Sequence, residues 1–159
     1  MQPAGADSWA TAYIGLGANL GDARDSVIAA IEAIGKLAGT RVLKRSSLYS
    51  SAPVDAQGPD FVNAVVEIST QLDASTLLAR LQEIENAAGR ERPFRNAPRT
   101  LDLDILEFAD QRTDSASLTL PHPRMHQRAF VLVPLAEIAP HRVTQAQLDA
   151  VAGQRLHRL

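Results

Sequence analysis

Residues 100–105 alternate strictly between polar and apolar side chains, which is the pattern of a β-strand with one wet and one buried face. Asp102 and Asp104 share the polar face with Thr100. Alternate strand residues lie about 6.7 Å apart, and the metal ions of a catalytic pair lie about 3.5–4 Å apart, so both carboxylates could hold such a pair. The alternative is a solvated strand face on which the two carboxylates merely repel each other. The segment therefore predicts a sheet and offers a candidate metal site.

The composition is that of one globular domain. The chain has 159 residues, of which 45% are hydrophobic and 21% charged, and this length allows a substantial core. A net charge of −2 gives no reason to expect nucleic acid or an anionic membrane as partner. The absence of cysteine excludes disulfides, thiol catalysis and cysteine metal sites. We predict a loose tail at residues 1–10, with no signal peptide, and a single domain at 11–159, in a cytoplasmic monomer without a membrane-spanning segment.

The hydrophobic periodicity predicts the element order β-α-β-β-α-β. The predicted elements are a strand at 11–16, a helix capped by Asp22 and ending near Gly39, strands at 41–49 and 61–70, a helix capped by Asp73 and ended by Gly89, and the alternating strand that carries Asp102 and Asp104. This order is typical of a ferredoxin-like fold of the α+β class, an antiparallel sheet with both helices packed on one face. The other face would then be free, and the polar side of the Asp102 strand would lie on it.

Two further regions have weaker sequence patterns. Glycines at positions 15, 17 and 21 suggest a tight turn after the first strand, with a ligand-binding loop as the alternative. After residue 107 we expect C-terminal additions to the fold. These are a short edge strand at 117–120, a helical segment at 124–139 broken around Pro134, and a last helix at 145–151.

Basic side chains flank the aspartate strand on both sides. Residues 89–99 include four arginines, which favour a metal-bound polyphosphate whose remaining oxygens they contact. The alternative is a solvated loop that neutralises the two carboxylates. His122 and Arg128 belong to a second basic cluster, in which phosphate contact is favoured over zinc binding by His122 and His126, because Pro123 interrupts a helix between them. Oxygen ligands alone favour Mg²⁺ over softer metals.

Several of these segments together resemble the 6-hydroxymethyl-7,8-dihydropterin pyrophosphokinase family of folate biosynthesis. The matching segments are GANLG at 17–21, FVNA at 61–64, GR at 89–90, PRTLDLD at 98–104, PHPRM at 121–125 and RAF at 128–130. They occur in the family's order across residues 11–140. The chain departs from the family pattern at Asn96 and Pro123, where many members carry a tryptophan and some a tyrosine.

The resemblance implies transfer of the β,γ-diphosphate of ATP to the pterin's hydroxymethyl oxygen, with release of AMP. It implies two Mg²⁺ ions at Asp102 and Asp104. The implied triphosphate contacts are Arg90, Arg92, Arg99, His122 and Arg128, of which the first three belong to a closing lid; the implied nucleotide contacts are Gln82, Glu85 and Ile105. The implied pterin contacts are Phe61 and Phe130 as a sandwich, with Asn63 and the backbone of Ser51, Ala52, Pro53 and Val54 at the polar edge. A metal-dependent phosphohydrolase and a non-enzymatic ferredoxin-like ligand-binding domain are the alternatives.

Overall fold

The computed structural model describes residues 8–19, 21–52, 59–89 and 101–159. Its elements in chain order are β1 (Ala10–Ala18), α1 (Ala23–Gly35), β2 (Thr40–Arg45), β3 (Tyr49–Ser51), β4 (Phe61–Thr70), α2 (Ala74–Gly89), β5 (Asp102–Phe108), β6 (Thr113–Asp114), β7 (Thr119–Leu120), α3 (Ala129–Ile138), α4 (Gln145–Ala150) and β8 (Leu156–Arg158), with 3-10 turns at Met125–Gln127 and Pro140–Arg142. The strands of the main sheet follow the order β5-β1-β4-β3-β8, and β2 pairs with the other half of β4. All pairings are antiparallel, so the predicted ferredoxin-like α+β class is confirmed.

Helices α1 and α2 pack on one face of this sheet, as predicted. Asp22 and Asp73 cap them, since each carboxylate accepts a backbone N–H of the first turn, from Asp25 at 3.1 Å and from Thr76 at 2.7 Å. The Thr76 hydrogen bonds hold the pKa of Asp73 below its ordinary value. The side chains buried under the helices are Ile14, Leu16, Val27, Ile31, Ile34, Val66, Ile68, Leu77, Leu81, Leu103, Ile105 and Phe108. Each such burial stabilises the fold by about 1.5–3 kcal/mol, so these side chains dominate the core.

Two predicted element boundaries are wrong. The strand expected at 41–49 is two strands, because Ser46 interrupts it: its hydroxyl accepts the Val65 N–H at 2.9 Å in place of a backbone carbonyl. Helix α1 ends at Gly35, and Gly39 lies in the following turn with φ of +65°. A hydrogen bond from a side chain to the backbone can end a strand or a helix. Hydrophobic periodicity does not show such bonds, so it misplaces the boundary.

The second face of the sheet is not free along its whole length, which corrects the prediction. Helix α3 covers one half of it and buries Tyr13, Val65, Leu106 and Leu135. The helix continues through Pro134 instead of breaking there. Proline removes one backbone hydrogen bond, but α3 is buried on both sides of this residue, and packing offsets that loss. The half that α3 leaves open carries the polar ends of β5 and β4.

The C-terminal additions partly match the predictions. The edge strand is shorter than expected, because only Thr119–Leu120 pairs, with Thr113–Asp114, and α4 lies where a last helix was predicted. Strand β8 was not predicted; it joins the main sheet beside β3. Of the predicted tail, residues 1–7 lie outside the described residues, and the Trp9 ring lies under the Arg41 guanidinium. Within the described residues no helix has the length and apolar character needed to cross a membrane.

Candidate active site

A cleft with an empty volume of about 740 Å³ opens on the uncovered half of the second face. Strands β1, β3, β4 and β5 form its floor, and the start of α3 forms one wall. Its lining residues are Gly15, Leu16, Gly17, Ser51, Ala52, Phe61, Asn63, Ala64, Asp102, Asp104, Leu106, Arg128, Phe130 and Val131. The cleft thus combines the aspartate pair, two aromatic rings, an arginine and a buried amide, which the sequence distributes over about seventy residues.

Gly15 and Gly17 make room for this cleft. Both belong to β1, so the turn predicted for them is wrong, and the glycines lie in the strand because it pairs with β4 and β5 on both sides. A Cβ atom on Gly17 would lie 3.2 Å from Asn63 Nδ2 and 3.8 Å from Phe61 Cδ1. Glycine is unfavourable inside a strand unless something must approach closely, and here the cleft floor requires it.

The aspartate pair lies directly beside these glycines. Asp102 pairs with Gly17 and Asp104 with Gly15, so no side chain of β1 rises next to either carboxylate. Asp102 is exposed, and the side chain of Asp104 is 37% exposed. Within the described part of the chain, no group of three or more histidine, cysteine or acidic side chains could hold a metal. Two carboxylates alone fit Mg²⁺, which proteins hold through one or two carboxylates together with substrate phosphates.

His122 faces the aspartate pair from the turn after β7. Its Nδ1 accepts the Arg124 N–H at 3.2 Å, so the proton of the neutral ring is on Nε2, which lies 3.9 Å from Asp104 Oδ1. Burial lowers the pKa of His122, the Arg128 charge lowers it further, and the Asp102 carboxylate acts in the opposite direction. The lowered pKa favours the neutral form of His122, whose Nε2–H lies close to the Asp104 carboxylate.

The opposite end of the cleft has the composition of a site for a flat polar ring. Phe61 approaches from the sheet and Phe130 from α3, where the Arg128 guanidinium lies 5.4 Å from the Phe130 ring centre. The Ser51 hydroxyl donates to Asn63 Oδ1 at 2.6 Å, and both residues are buried. This bond orients the amide so that Nδ2 lies against Gly17 at the cleft floor.

The predicted nucleotide contacts lie on the other side of β5. Glu85 accepts the Leu103 N–H at 2.7 Å, which attaches α2 to β5 next to the aspartates. Ile105 is only 3% exposed in the core, yet it borders a second cleft with an empty volume of about 560 Å³. Leu118 and Thr119 also line this cleft, and no sequence pattern marks either as a site residue. Gln82 is exposed on α2 and is not among the described residues that line these clefts.

Five of the predicted contacts lie outside the described residues and remain predictions. They are Pro53, Val54, Arg90, Arg92 and Arg99. The structure brings together Ser51, Ala52, Phe61, Asn63, Asp102, Asp104, Arg128 and Phe130 around one cleft, with His122 at its edge.

Comparison with known proteins gives close relatives over most of the chain. A family model described as 7,8-dihydro-6-hydroxymethylpterin-pyrophosphokinase (HPPK) matches residues 13–140. The 2-amino-4-hydroxy-6-hydroxymethyldihydropteridine pyrophosphokinase of Haemophilus influenzae is 48% identical over 130 residues, covering 81% of this chain and 81% of that protein. The protein of the same name from Bacillus subtilis is 43% identical over 142 residues, covering 87% of this chain and 85% of its own.

Solved structures share the fold at low sequence identity. An HPPK-DHPS structure in complex with substrates has a TM-score of 0.67 at 12% identity, covering 90% of this chain and 43% of that chain. Wild-type Plasmodium falciparum HPPK-DHPS with STZ-DHP has a TM-score of 0.66 at 16% identity, covering 89% of this chain. The chain spans less than half the length of either protein, and the likeness concerns the fold alone.

Proposed function

The chain belongs to the 7,8-dihydro-6-hydroxymethylpterin-pyrophosphokinase family, and from this membership we propose which residues of the cleft hold each substrate. As a member, the protein transfers the β,γ-diphosphate of ATP to the hydroxymethyl group of 6-hydroxymethyl-7,8-dihydropterin in folate biosynthesis. The products are the pterin diphosphate and AMP. The proposal extends to a cytoplasmic monomer that acts on these small molecules without nucleic acid or membrane, in keeping with a net charge of −2.

The pterin lies between Phe61 and Phe130 in this proposal. Two aromatic rings from separate elements line one cleft and offer stacking surfaces to a flat heterocycle. Asn63 reads the polar edge through Nδ2, because its Oδ1 already accepts from Ser51. The backbone at Ser51 and Ala52 lines the same end and offers further hydrogen-bonding groups.

Asp102 and Asp104 hold the two Mg²⁺ ions between the substrates. Their carboxylates project beside two glycines, which leaves space for cations and phosphate oxygens. When bound there, Mg²⁺ neutralises charge on the transferring diphosphate. With Mg²⁺ held there, Asp102 and Asp104 would keep the diphosphate in the same cleft as the pterin, as in-line transfer needs.

Cationic and neutral donors complete the triphosphate site. Arg128 lines the same cleft as the aspartates and Phe130, and His122 Nε2, which carries the proton of the neutral ring, lies 3.9 Å from Asp104 Oδ1. Arg90, Arg92 and Arg99 are proposed from the sequence alone as further contacts on a closing lid. Bidentate arginine contacts would hold the phosphate oxygens and stabilise charge that develops during transfer.

The nucleoside of ATP lies in the second cleft, on the other side of β5. Asp104 and His122 line this cleft too, so a triphosphate at the aspartates can extend directly from a nucleoside there. Ile105 and Leu118 supply apolar surface. Glu85 takes a supporting part, since its bond to the Leu103 N–H holds α2 against β5, and Gln82 is proposed at the rim.

One observation supports this assignment above the others: the aspartate pair and the two aromatic rings line the same cleft. A metal-dependent phosphohydrolase would use the same carboxylates without needing the aromatic end, and a ligand-binding domain would need no paired carboxylates. Incubation with ATP and Mg²⁺, with and without the reduced pterin, separates the three. We expect AMP only when the pterin is present. Orthophosphate release from ATP alone would indicate hydrolysis, and binding without turnover would indicate a ligand-binding domain.

A further inference from the structure

We propose that residues 154–156 form a clamp that positions the pterin subsite, an inference that rests on the proposed assignment of Phe61 and Phe130. Three consecutive residues, Gln154, Arg155 and Leu156, each contact a different segment of that subsite. None of the three belongs to the segments by which the sequence resembles the family. Nothing in the hydrophobic pattern of the chain distinguishes them either.

Gln154 attaches the beginning of α3. Its Oε1 accepts the N–H of Ala129 at 2.8 Å, and its Nε2 donates to the Gln127 carbonyl at 2.8 Å. Ala129 is the first residue of α3 and precedes Phe130, and the helix has no side-chain cap of its own at Arg128. Gln154 therefore supplies from a distant part of the chain a partner that a local cap would ordinarily provide.

Arg155 and Leu156 contact the other two segments of the subsite. The Arg155 guanidinium lies 3.0 Å from a carboxylate oxygen of Asp60, the residue before Phe61. Leu156 pairs with Ser51 in the β3–β8 ladder, and Ser51 in turn orients Asn63. The Arg155–Asp60 pair is exposed on both sides and contributes little energy, so Gln154 and the strand pairing account for most of the clamp.

As a result, one short segment contacts the elements that carry both aromatic rings and the polar edge of the subsite. A stacked ring between two side chains is sensitive to their separation, and the first turn of α3 sets the position of one of them. Loss of the two Gln154 hydrogen bonds should loosen that turn. Pterin binding would then have to restore its order, and the affinity for the pterin falls, while the nucleoside cleft across β5 is unaffected.

The test compares Gln154→Ala with Gln147→Ala in the full chain. Gln147 is a matched control, because it also accepts a backbone N–H, that of Thr144 in the capping box of α4, without contacting the pterin subsite. We expect Gln154→Ala to raise the Kd for 6-hydroxymethyl-7,8-dihydropterin about three- to tenfold. The Kd for a non-hydrolysable ATP analogue with Mg²⁺ should not change. Gln147→Ala should lower the melting temperature and leave both constants unchanged.

Two further variants keep the outcomes distinct. Gln154→Glu retains an acceptor for the Ala129 N–H but replaces the donor to the Gln127 carbonyl by a carboxylate oxygen, so its pterin affinity should stay below that of the unchanged protein. Phe130→Ala tests the proposed subsite itself, and unchanged pterin affinity in that variant would overturn the subsite and the clamp together. If Phe130→Ala weakens pterin binding but Gln154→Ala does not, or weakens it no more than Gln147→Ala, the clamp alone is overturned. A Gln154→Glu variant that binds the pterin as tightly as the unchanged protein would also contradict it.

Discussion

Removing the Ser51 hydroxyl should both destabilise the fold and weaken pterin recognition. Ser51 and Asn63 are 5% and 4% exposed, and their side chains share a hydrogen bond of 2.6 Å. In Ser51→Ala this bond is lost, and Asn63 Oδ1 stays buried without its hydroxyl donor. An unsatisfied buried polar group costs about 1–3 kcal/mol, and a chain of this size loses about 2–4 °C of melting temperature per kcal/mol.

The effect on binding follows from the orientation of the amide. With Ser51 present, Oδ1 is occupied and Nδ2 is the group at the cleft floor. Without the hydroxyl, the amide can rotate by 180° and present an acceptor where the pterin needs a donor. When the orientation preference is lost, the correctly oriented fraction of the amide falls from nearly one to about one half, which raises the Kd for the pterin about twofold.

The assay pairs thermal unfolding with fluorescence titration of the pterin. Ser50→Ala is the control, because Ser50 is the neighbouring strand residue and its side chain points to the opposite face of β3. We expect Ser51→Ala to lose several degrees of melting temperature and about twofold in pterin affinity, while the ATP-analogue affinity stays the same. A variant that unfolds earlier but binds the pterin normally would refute the orientation role of Ser51.

Two other predictions concern the cleft floor and the alkaline stability of the fold. Gly17→Ala should weaken pterin binding, because the new methyl group would lie 3.2 Å from Asn63 Nδ2. Gly35→Ala is its control, since the new methyl group there would make an ordinary contact of 3.6 Å. Equal pterin affinity in the two variants would contradict the prediction. Burial and the Glu137 carboxylate raise the pKa of Tyr49 to about 12, so its contribution to stability is complete below about pH 10 and is lost as the pH rises toward 12. Denaturant unfolding should accordingly show that the free energy of unfolding falls by about 2–3 kcal/mol over that range, and that it falls less in Tyr49→Phe. Identical pH profiles of the two proteins would show that Tyr49 is not responsible.

Local patterns were sufficient to predict the elements whose residues contact near neighbours. The caps at Asp22 and Asp73 and the two-residue alternation around Asp102 depend on atoms within four positions in the chain, and all three are confirmed. The ferredoxin-like order follows from them, because few antiparallel arrangements bury both helices on one sheet.

Long-range pairing determines the features that the sequence did not predict. Gly15 and Gly17 have poor strand propensity, and only pairing on both sides keeps them in β1. Helix α3 retains Pro134 because its buried neighbours hold it against the sheet. Strand β8 is three residues long and finds its partner in β3, about a hundred positions earlier. None of these interactions leaves a periodic signal within one segment.

The same distinction between local patterns and long-range contacts applies to the residues of the candidate site. Asp102, Asp104, Phe61 and Asn63 could be singled out because alternation assigns them to one sheet face. The glycine floor and the second cleft around Leu118 and Thr119 could not be, since both are surfaces formed by residues that are distant in sequence. Residues that interact through space alone, such as Gln154, escape pattern analysis entirely.

In the proposed site the Asp102 and Asp104 carboxylates serve the transfer step, while the other end of the same cleft binds the pterin. Measuring AMP formation and pterin affinity in Asp102→Ala and Asp104→Ala, with Asp114→Ala as a control in the small two-stranded sheet, tests this directly. We predict that AMP formation falls by at least about a thousandfold in each site variant, with the melting temperature and pterin Kd nearly unchanged. Near-normal AMP formation in either site variant would contradict the two-metal assignment.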